Sequence, residues 1–465
     1  MKSIYKNFFL FFLFLLILVI IFGGYKLYNR IKLATERIST LEQLDPLYQK
    51  DKKLNQLEIE KIYLTELSKI RINNYNYEFK KFQLNQEKMF PIGYVDIFEN
   101  KLFFISGNGN IFFEDLDIFY NHKNEDKLNL NYIENNLIDL SGIKILNDYA
   151  GGGIFTSMFV RDTYITEGNL FVVCNIFRKD DNKIYVKPAI LKTQINLFKD
   201  YLDFEIFFNT DQEILYITLD SNNEIDTIDD SIDFRHSGGR IHKYKDDKFI
   251  YAVPDYNLID KVENLKSIYG KNLLIDDKNN FEILSYGHRN QQGLLYDFEN
   301  DLIFSTEHGP SGGDEINLIK KGKGYGWPKV SKGKGYTDPD HVISKNHKDN
   351  GYEEPIHFWK TNPGISQIIK VPSNDKVDEF ERAFSSNSYI VASLRGSEDW
   401  AGRSLWNFKL NKDKKLIDMK KIFVKDRIRD LVYDKKNEKL ILVLENQISL
   451  GVINTLKKNL LHNSY

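Results

Sequence analysis

A single cysteine, Cys174, stands in the 465 residues, so no disulfide can close within the chain, and one thiol does not diagnose its compartment. It sits in the apolar run "LFVVCNIF" and reads as a buried strand residue. Charge of one sign is lacking too. The formal net charge is −2, which excludes the broad basic field of a nucleic-acid binder. Short lysine clusters such as "KKGKG" therefore read as solvated loops. Helical periodicity is nearly absent beyond about residue 90, which leaves the bulk of the chain to short strands.

What is present first is a long apolar run. "MKSIYKNFFLFFLFLLILVIIFGGYKLYNR" is apolar from Phe8 to Phe22 and is extended by Gly23, Gly24 and Tyr25. About 18 apolar residues span a bilayer, whereas signal-peptide cores run to about 7–15. No small-x-small cleavage site follows, so residues 1–25 are expected to form an uncleaved transmembrane signal anchor, with a cleaved signal as the alternative. Lys26, Arg30 and Lys32 offset Lys2 and Lys6, so flanking charge leaves the orientation open. Residues 26–85 are expected to be a short helical stalk or linker. Leu33, Ile38, Leu41 and Leu44, then Leu54, Leu57, Ile62 and Leu64, recur at helical spacing, interrupted at Pro46.

From about 90 onward one pattern recurs: a polar turn, then a short apolar strand ending at a polar residue or glycine. It appears as "ENKLFFISGNG", "EGNLFVVCN", "DDKFIYAVPD", "ENDLIFSTEHG", "NSYIVASLRG" and "NEKLILVLEN". Six such units, roughly 50–90 residues apart, predict an all-β, six-bladed β-propeller over 90–458. A two-sheet sandwich competes, but this stretch is too long for one.

Propeller geometry brings two kinds of loop to one face: those entering the first strand of a blade and those leaving the second. "DFRHSGGRIHKY", "YAVPDYN", "YGHRNQQGLLYD", "STEHGPSGGDE", "SLRGSED", "VKDRIRDLVYD" and "LENQ" are all of these kinds. The segments richest in His, Arg, Asp and Glu should therefore meet at one channel mouth. There His236, in "RHSGG", is separated from Asp255 by one strand–turn–strand excursion. A carboxylate beside a histidine fixes its tautomer and raises its basicity, as a general base needs. The plainer alternative is a surface histidine and an unrelated turn aspartate. Arg289, Arg395, Arg427 and Arg429 come from three blades, and their convergence calls for carboxylate or phosphate partners. Pairing with neighbouring acids such as Asp426 or Asp430 is the alternative. In "EHGPSGGDE" the carbonyls of Gly309 and Pro310 suit a hard cation, although the loop lacks calcium-loop spacing and a tight turn explains it equally. His288, His308 and Glu307 lack the His-x-His or Cys partner of a transition-metal site. Trp327 and Trp359 read as packing residues, with stacking on a sugar as the alternative.

"HSGGRI", "GHRNQQG", "STEHGPSGGDEINLI" followed by "YGWP", "SLRG" and "RIRDLVYD" together resemble the glucose/sorbosone dehydrogenase family, over roughly residues 140–450 and in family order. These are soluble aldose dehydrogenases that use pyrroloquinoline quinone (PQQ) on a six-bladed propeller. The resemblance implies that His236 is the catalytic base and that Asp255 orients it. It implies that Arg289 and Asn290 contact the cofactor, and that Gly309 and Pro310 hold its Ca²⁺, with Asp314 close by. Arg395 falls where the family typically has a lysine, and Arg427 and Arg429 match the pair that binds the cofactor's carboxylates. Gln291 replaces a usual proline, and Gly151, Gly152 and Gly153 stand where a glutamine often contacts the cofactor. The implied activity is oxidation of an aldose to its lactone with PQQ and Ca²⁺, by a single-pass inner-membrane protein whose propeller faces the periplasm. Its electron acceptor would be a cytochrome or a quinone. Two other readings stay open: a non-catalytic propeller that binds carbohydrate or protein at the same mouth, and a Ca²⁺-dependent hydrolase such as a lactonase.

Overall fold

The structure, a computed structural model, describes residues 69–72, 75–84, 92–122, 128–149, 159–334, 346–373, 383–395, 402–445 and 448–456. The expected anchor at 1–25, residues 26–68 of the expected stalk and the triglycine 151–153 lie outside these. Among the described residues, no helix is long and apolar enough to cross a membrane.

Six sheets follow one another along the chain, one per propeller blade. Blade 1 begins at Gly93–Phe98, blade 2 at Val160–Thr166, blade 3 at Arg240–Lys243, blade 4 at Asn290–Asp297, blade 5 at Ile365–Val371 and blade 6 at Ile428–Asp434. Each of these inner strands packs on the next, and that of blade 6 packs on that of blade 1, so the ring closes. The six repeats seen in the sequence are the second strands of the six blades. They run Lys101–Ser106, Asn169–Asp180, Phe249–Val253, Leu302–His308, Ser388–Ser393 and Lys439–Leu444. A second strand is covered by the blades on either side, so it is apolar along its length instead of alternating. Phe249–Val253, for example, is buried at every position. The polar turn before each second strand places a residue in the left-handed region, among them Glu99, Glu167, Asp246, Asp301, Asn387 and Glu438. Turns that match the twist of a hairpin require that conformation.

The helical expectation fails at the end of the 26–85 segment. Lys69–Ile72 and Tyr75–Gln83 are strands, and the second of them pairs antiparallel with Ser449–Asn454. The N-terminal strands thereby complete blade 6 and join the two ends of the propeller chain. Tyr77 and Phe79, buried at period two, fit a strand, and the open edge of Ser449–Asn454 supplies the backbone partners. The propeller thus starts at 69, not at 90.

Polar groups fill the channel where the inner strands converge. Arg240, fully buried, donates to Asp162 at 2.6 Å, to Asp430 at 3.1 Å and to the Gln292 carbonyl at 2.6 Å. The other oxygens of the two carboxylates accept the backbone N–H groups of Ile241 (3.0 Å) and Val95 (2.9 Å). One guanidinium therefore ties blades 2, 3, 4 and 6 together and reaches blade 1 through Asp430. Burial pushes the Asp162 carboxyl up to about 7, against the pull of Arg240.

Candidate active site

The loops expected at one mouth do meet there. His236 ends a short 3-10 turn, Phe234–His236, capped by the side chain of Asp233. Its Nδ1 lies 3.2 Å from Asp255 Oδ1, and its Nε2 lies 2.7 Å from Arg289 Nη2. A guanidinium can only donate, so Nε2 must accept. The proton therefore sits on Nδ1 and faces Asp255, leaving the lone pair at Nε2 directed to the mouth. Asp255 is wholly buried and also accepts Asn257 N–H (3.0 Å) and Trp327 Nε1–H (2.7 Å). Three donors hold that carboxylate, so it cannot rotate away from the histidine. Trp327, expected to pack or to stack on a sugar, is one of them, and its ring also lies 5.2 Å from the Arg289 guanidinium.

Arg289 joins the histidine to the glycine-rich loop. Its Nη1 donates to the carbonyls of His308 and Gly309, each at 3.0 Å, and its backbone N–H donates to Glu307 at 2.9 Å. Asn290 is turned inward: it donates to the Arg235 carbonyl (2.9 Å) and accepts from Gly238 N–H (3.2 Å), which steadies the His236 loop. Asp314 does the same for the glycine-rich loop. Its buried carboxylate accepts the N–H groups of Gly309 (3.0 Å), Gly364 (2.7 Å) and Ile365 (3.2 Å), while burial lifts its pKa to about 7. The Gly309 carbonyl accepts from Arg289, and the Pro310 carbonyl from Asn362 Nδ2 at 2.6 Å.

Arg427 and Arg429 converge on one carboxylate, Glu445, in the "LENQ" loop. Arg427 donates to it at 2.8 and 3.0 Å, and Arg429 at 2.5 Å. The acids suggested by proximity in sequence are engaged elsewhere: Asp426 with Lys81 at 2.7 Å, and Asp430 with Arg240. Arg427 Nη1 also donates to the Leu394 carbonyl (3.1 Å), and Arg429 Nη1 to Gln292 Oε1 (3.3 Å). Arg395, next to Leu394, is exposed. With Glu445 subtracted, the arginines of the mouth keep a surplus of positive charge.

The supposed transition-metal trio does not assemble. His288 faces Glu307 (3.0 Å) and Ser285 (2.8 Å), whereas His308 donates to the Ile365 carbonyl (2.7 Å). Among the described residues, no three His, Cys, Asp or Glu side chains are grouped to hold a metal. Glu445 and Trp327 are the site residues that motif reading left unassigned. Both lie in quoted motifs, but neither has a sequence neighbour that reveals its partner.

Fold and mouth together define a six-bladed propeller whose channel opening carries a carboxylate-oriented histidine beside an arginine cluster. Residues 220–450 match the family described as Glucose / Sorbosone dehydrogenase, and the chain belongs to that family. The aldose sugar dehydrogenase YliI of Escherichia coli (strain K12) is 30% identical over 182 residues, covering 35% of this chain and 49% of that protein. The matches to the first two curated relatives span 33% and 49% of those proteins' lengths. The apo-form structure of the soluble aldose sugar dehydrogenase from Escherichia coli superposes with a TM-score of 0.56 at 18% identity, over 81% of this chain and 99% of that one. The PQQ-bound aldose sugar dehydrogenase from Streptomyces coelicolor gives 0.50 at 18% identity, over 78% and 98%. At such identities the superpositions show a shared fold.

Proposed function

We propose that the chain is a quinoprotein dehydrogenase that oxidises an aldose at its anomeric carbon to the lactone, with PQQ and Ca²⁺. The observation that carries this reading is His236, held with its proton on Nδ1 by Asp255 and its lone pair facing a mouth rich in arginine. A lactonase has no use for an arginine cluster sized to a polycarboxylate.

The residues present suit PQQ. It bears three carboxylates, and Arg289, Arg395, Arg427 and Arg429 offer guanidinium donors, of which Arg427 and Arg429 share the one carboxylate of Glu445. The carbonyls of Gly309 and Pro310 would hold the cation. Both are neutral, so the anionic oxygens that balance a dication would come from the cofactor. When bound, PQQ supplies a quinone carbon that accepts the hydride leaving the anomeric carbon. The protein's part is proton chemistry and placement. His236 Nε2 takes the proton of the anomeric hydroxyl, which displaces the Arg289 contact, and Asp255 stabilises the imidazolium that forms. Trp327 and Asn257 keep Asp255 in line. Arg289, tethered to the loop carbonyls, stays beside the oxygen that becomes the lactone carbonyl.

The run from Phe8 to Phe22 supports a membrane anchor, whereas placing the propeller outside the cytoplasm rests on the family resemblance alone. N-terminal sequencing of the mature protein checks this, since a start beyond residue 24 rejects the anchor. The electron acceptor would be a separate cytochrome or quinone. For catalysis the decisive test is His236→Asn. We expect kcat for aldose oxidation to fall by at least about 10², while PQQ titrates as in the wild type. Wild-type turnover without His236 would sink the mechanism. No turnover of any aldose by the loaded wild type would leave the non-catalytic propeller.

A further inference from the structure

Beside the mouth lies an open cleft of about 740 Å³ whose lysines none of the roles above employs. Lys332, Lys334, Lys360 and Arg395 line it, with Phe358 and Asn362 between them. Of the four cations, only Lys332 is ion-paired among the described residues, to Glu354 at 2.6 Å. Its ammonium also lies 5.5 Å from the ring centre of Phe358. Among the described residues the cleft therefore carries a net positive charge around one exposed aromatic ring.

Its walls are built on the glycine-rich loop of the candidate active site. Ser311 and Lys334 exchange two backbone hydrogen bonds, of 2.8 and 2.9 Å. Gly313 N–H donates to the Trp359 carbonyl at 2.8 Å, and Asn362 holds the Pro310 carbonyl. At Gly312, in the left-handed region, a Cβ would sit 2.5 Å from the Lys360 carbonyl oxygen, so the two segments touch backbone to backbone. Lys334 and Lys360 thus stand on rigid supports. At its inner end the cleft reaches Arg395, whose neighbour Leu394 anchors Arg427.

We infer that this cleft selects an aldose carrying an anionic substituent, a carboxylate or a phosphate, whose charge lies against Lys334 and Lys360 while its anomeric end meets His236. The inference rests on the aldose-dehydrogenase reading. Phe358 and the lysine stems offer an apolar surface for the C–H face of a sugar ring. Exposed lysines stand in ordinary water, so each contact is worth a few-fold in affinity and is screened by salt.

Protein loaded with PQQ and Ca²⁺ is assayed with glucose, glucuronate and glucose 6-phosphate. At low ionic strength we expect a KM roughly tenfold lower for one or both anionic sugars than for glucose, narrowing as NaCl is raised. Whichever anion shows the effect names the substituent. The K334Q/K360Q variant should raise that KM about tenfold, with glucose KM, kcat and PQQ affinity within about twofold of wild type. Equal KM values for charged and neutral sugars would overturn the inference, as would an unchanged anionic KM in the variant. Weakened PQQ affinity in the variant would overturn it too, by giving the cleft to the cofactor. If no aldose is oxidised, the parent reading fails. Calorimetric titration of cofactor-free protein with glucuronate and glucose 6-phosphate then judges the cleft alone: binding weakened about tenfold in the variant upholds its anion preference, and no binding ends it.

Discussion

Arg240 lies between two carboxylates deep in the channel, and Glu445 lies between two guanidinium groups at its mouth. The clusters use the same chemistry in inverse proportion. In the deep one every oxygen of Asp162 and Asp430 is engaged, by Arg240 or by a backbone N–H, and no member is more than 2% exposed. Nothing is left over for a ligand, and the cluster seals and joins the blades. In the mouth one carboxylate faces two arginines, and Arg427 keeps 36% of its side chain exposed. That surplus of accessible positive charge is what an anionic ligand can use. A buried ion cluster is judged by what its removal would strand, and an exposed one by what it can still bind.

The sharpest way to break the comparison is Arg240→Met. It strands two buried carboxylates, and losing one partner of a buried pair costs about 3–5 kcal/mol. We expect the denaturation midpoint to drop accordingly; an unchanged midpoint would mean that the channel does not depend on this arginine.

The mouth should behave oppositely. Arg427→Ala and Arg429→Ala each remove a charge-assisted contact worth about 1.5–3 kcal/mol, so PQQ affinity should fall by roughly 10- to 150-fold. Stability should fall by less than in Arg240→Met, because Glu445 keeps the other arginine as its partner. Unchanged PQQ titrations in both variants would show that the cofactor sits elsewhere.

Buried titratable groups sharpen the contrast through pH. Burial raises Asp314 to about 7 and Glu315 to about 8, so each binds its proton more tightly when folded. Their stabilising contribution is present at low pH and is lost as pH rises through 7 and 8, at up to about 1.4 kcal/mol per unit for each carboxyl. Burial lowers His242 to about 4 and His308 to about 3, so stability is also lost as pH falls below the ordinary 6.5 of histidine. Between about pH 4.5 and 6.5 the two carboxyls and the two histidines oppose each other, so unfolding midpoints measured from pH 4 to 9 should stay nearly level to about 6.5 and fall from there to about 8. Midpoints that rise between pH 7 and 8 would contradict these burial effects.

The smallest effect belongs to Trp327→Phe, which removes one donor from Asp255 and keeps the ring. A single hydrogen bond is worth about 1 kcal/mol, so kcat should fall roughly fivefold with PQQ affinity unchanged. An unaltered kcat would show that Asn257 alone suffices to hold the carboxylate.

Much of this architecture is written locally. A second strand covered on both faces needs a continuous apolar run, and the hairpin before it needs a residue that tolerates the left-handed region. Both demands recur six times, so the blade count and the loops that share a face are legible in the sequence. The pairing of His236 with Asp255 is legible for the same reason, because one strand–turn–strand excursion returns the chain to its own edge. The final blade is not local. Tyr75–Gln83 becomes a strand because Ser449–Asn454, at the far end of the propeller chain, offers an unpaired edge. Helical spacing just upstream gives no warning of that partner.

The charges divide the same way. Residue type alone announces that the arginines need anions, yet proximity in sequence points to Asp426 and Asp430, whereas the closed ring brings Glu445 to the pair and gives Asp430 to Arg240. Trp327 reads as a packing residue until the connection from the third to the fourth strand of blade 4 is laid over blade 3 and its indole N–H meets Asp255. What the sequence by itself determined was the repeat, the side of the ring that carries the polar loops, and the kinds of group gathered there, since these follow from hydrogen bonding and burial within neighbouring strands. Which cation faces which anion was decided only when six blades closed on one axis, because electrostatic partners are set by distance in space, and the closure places residues far apart in sequence within hydrogen-bond reach.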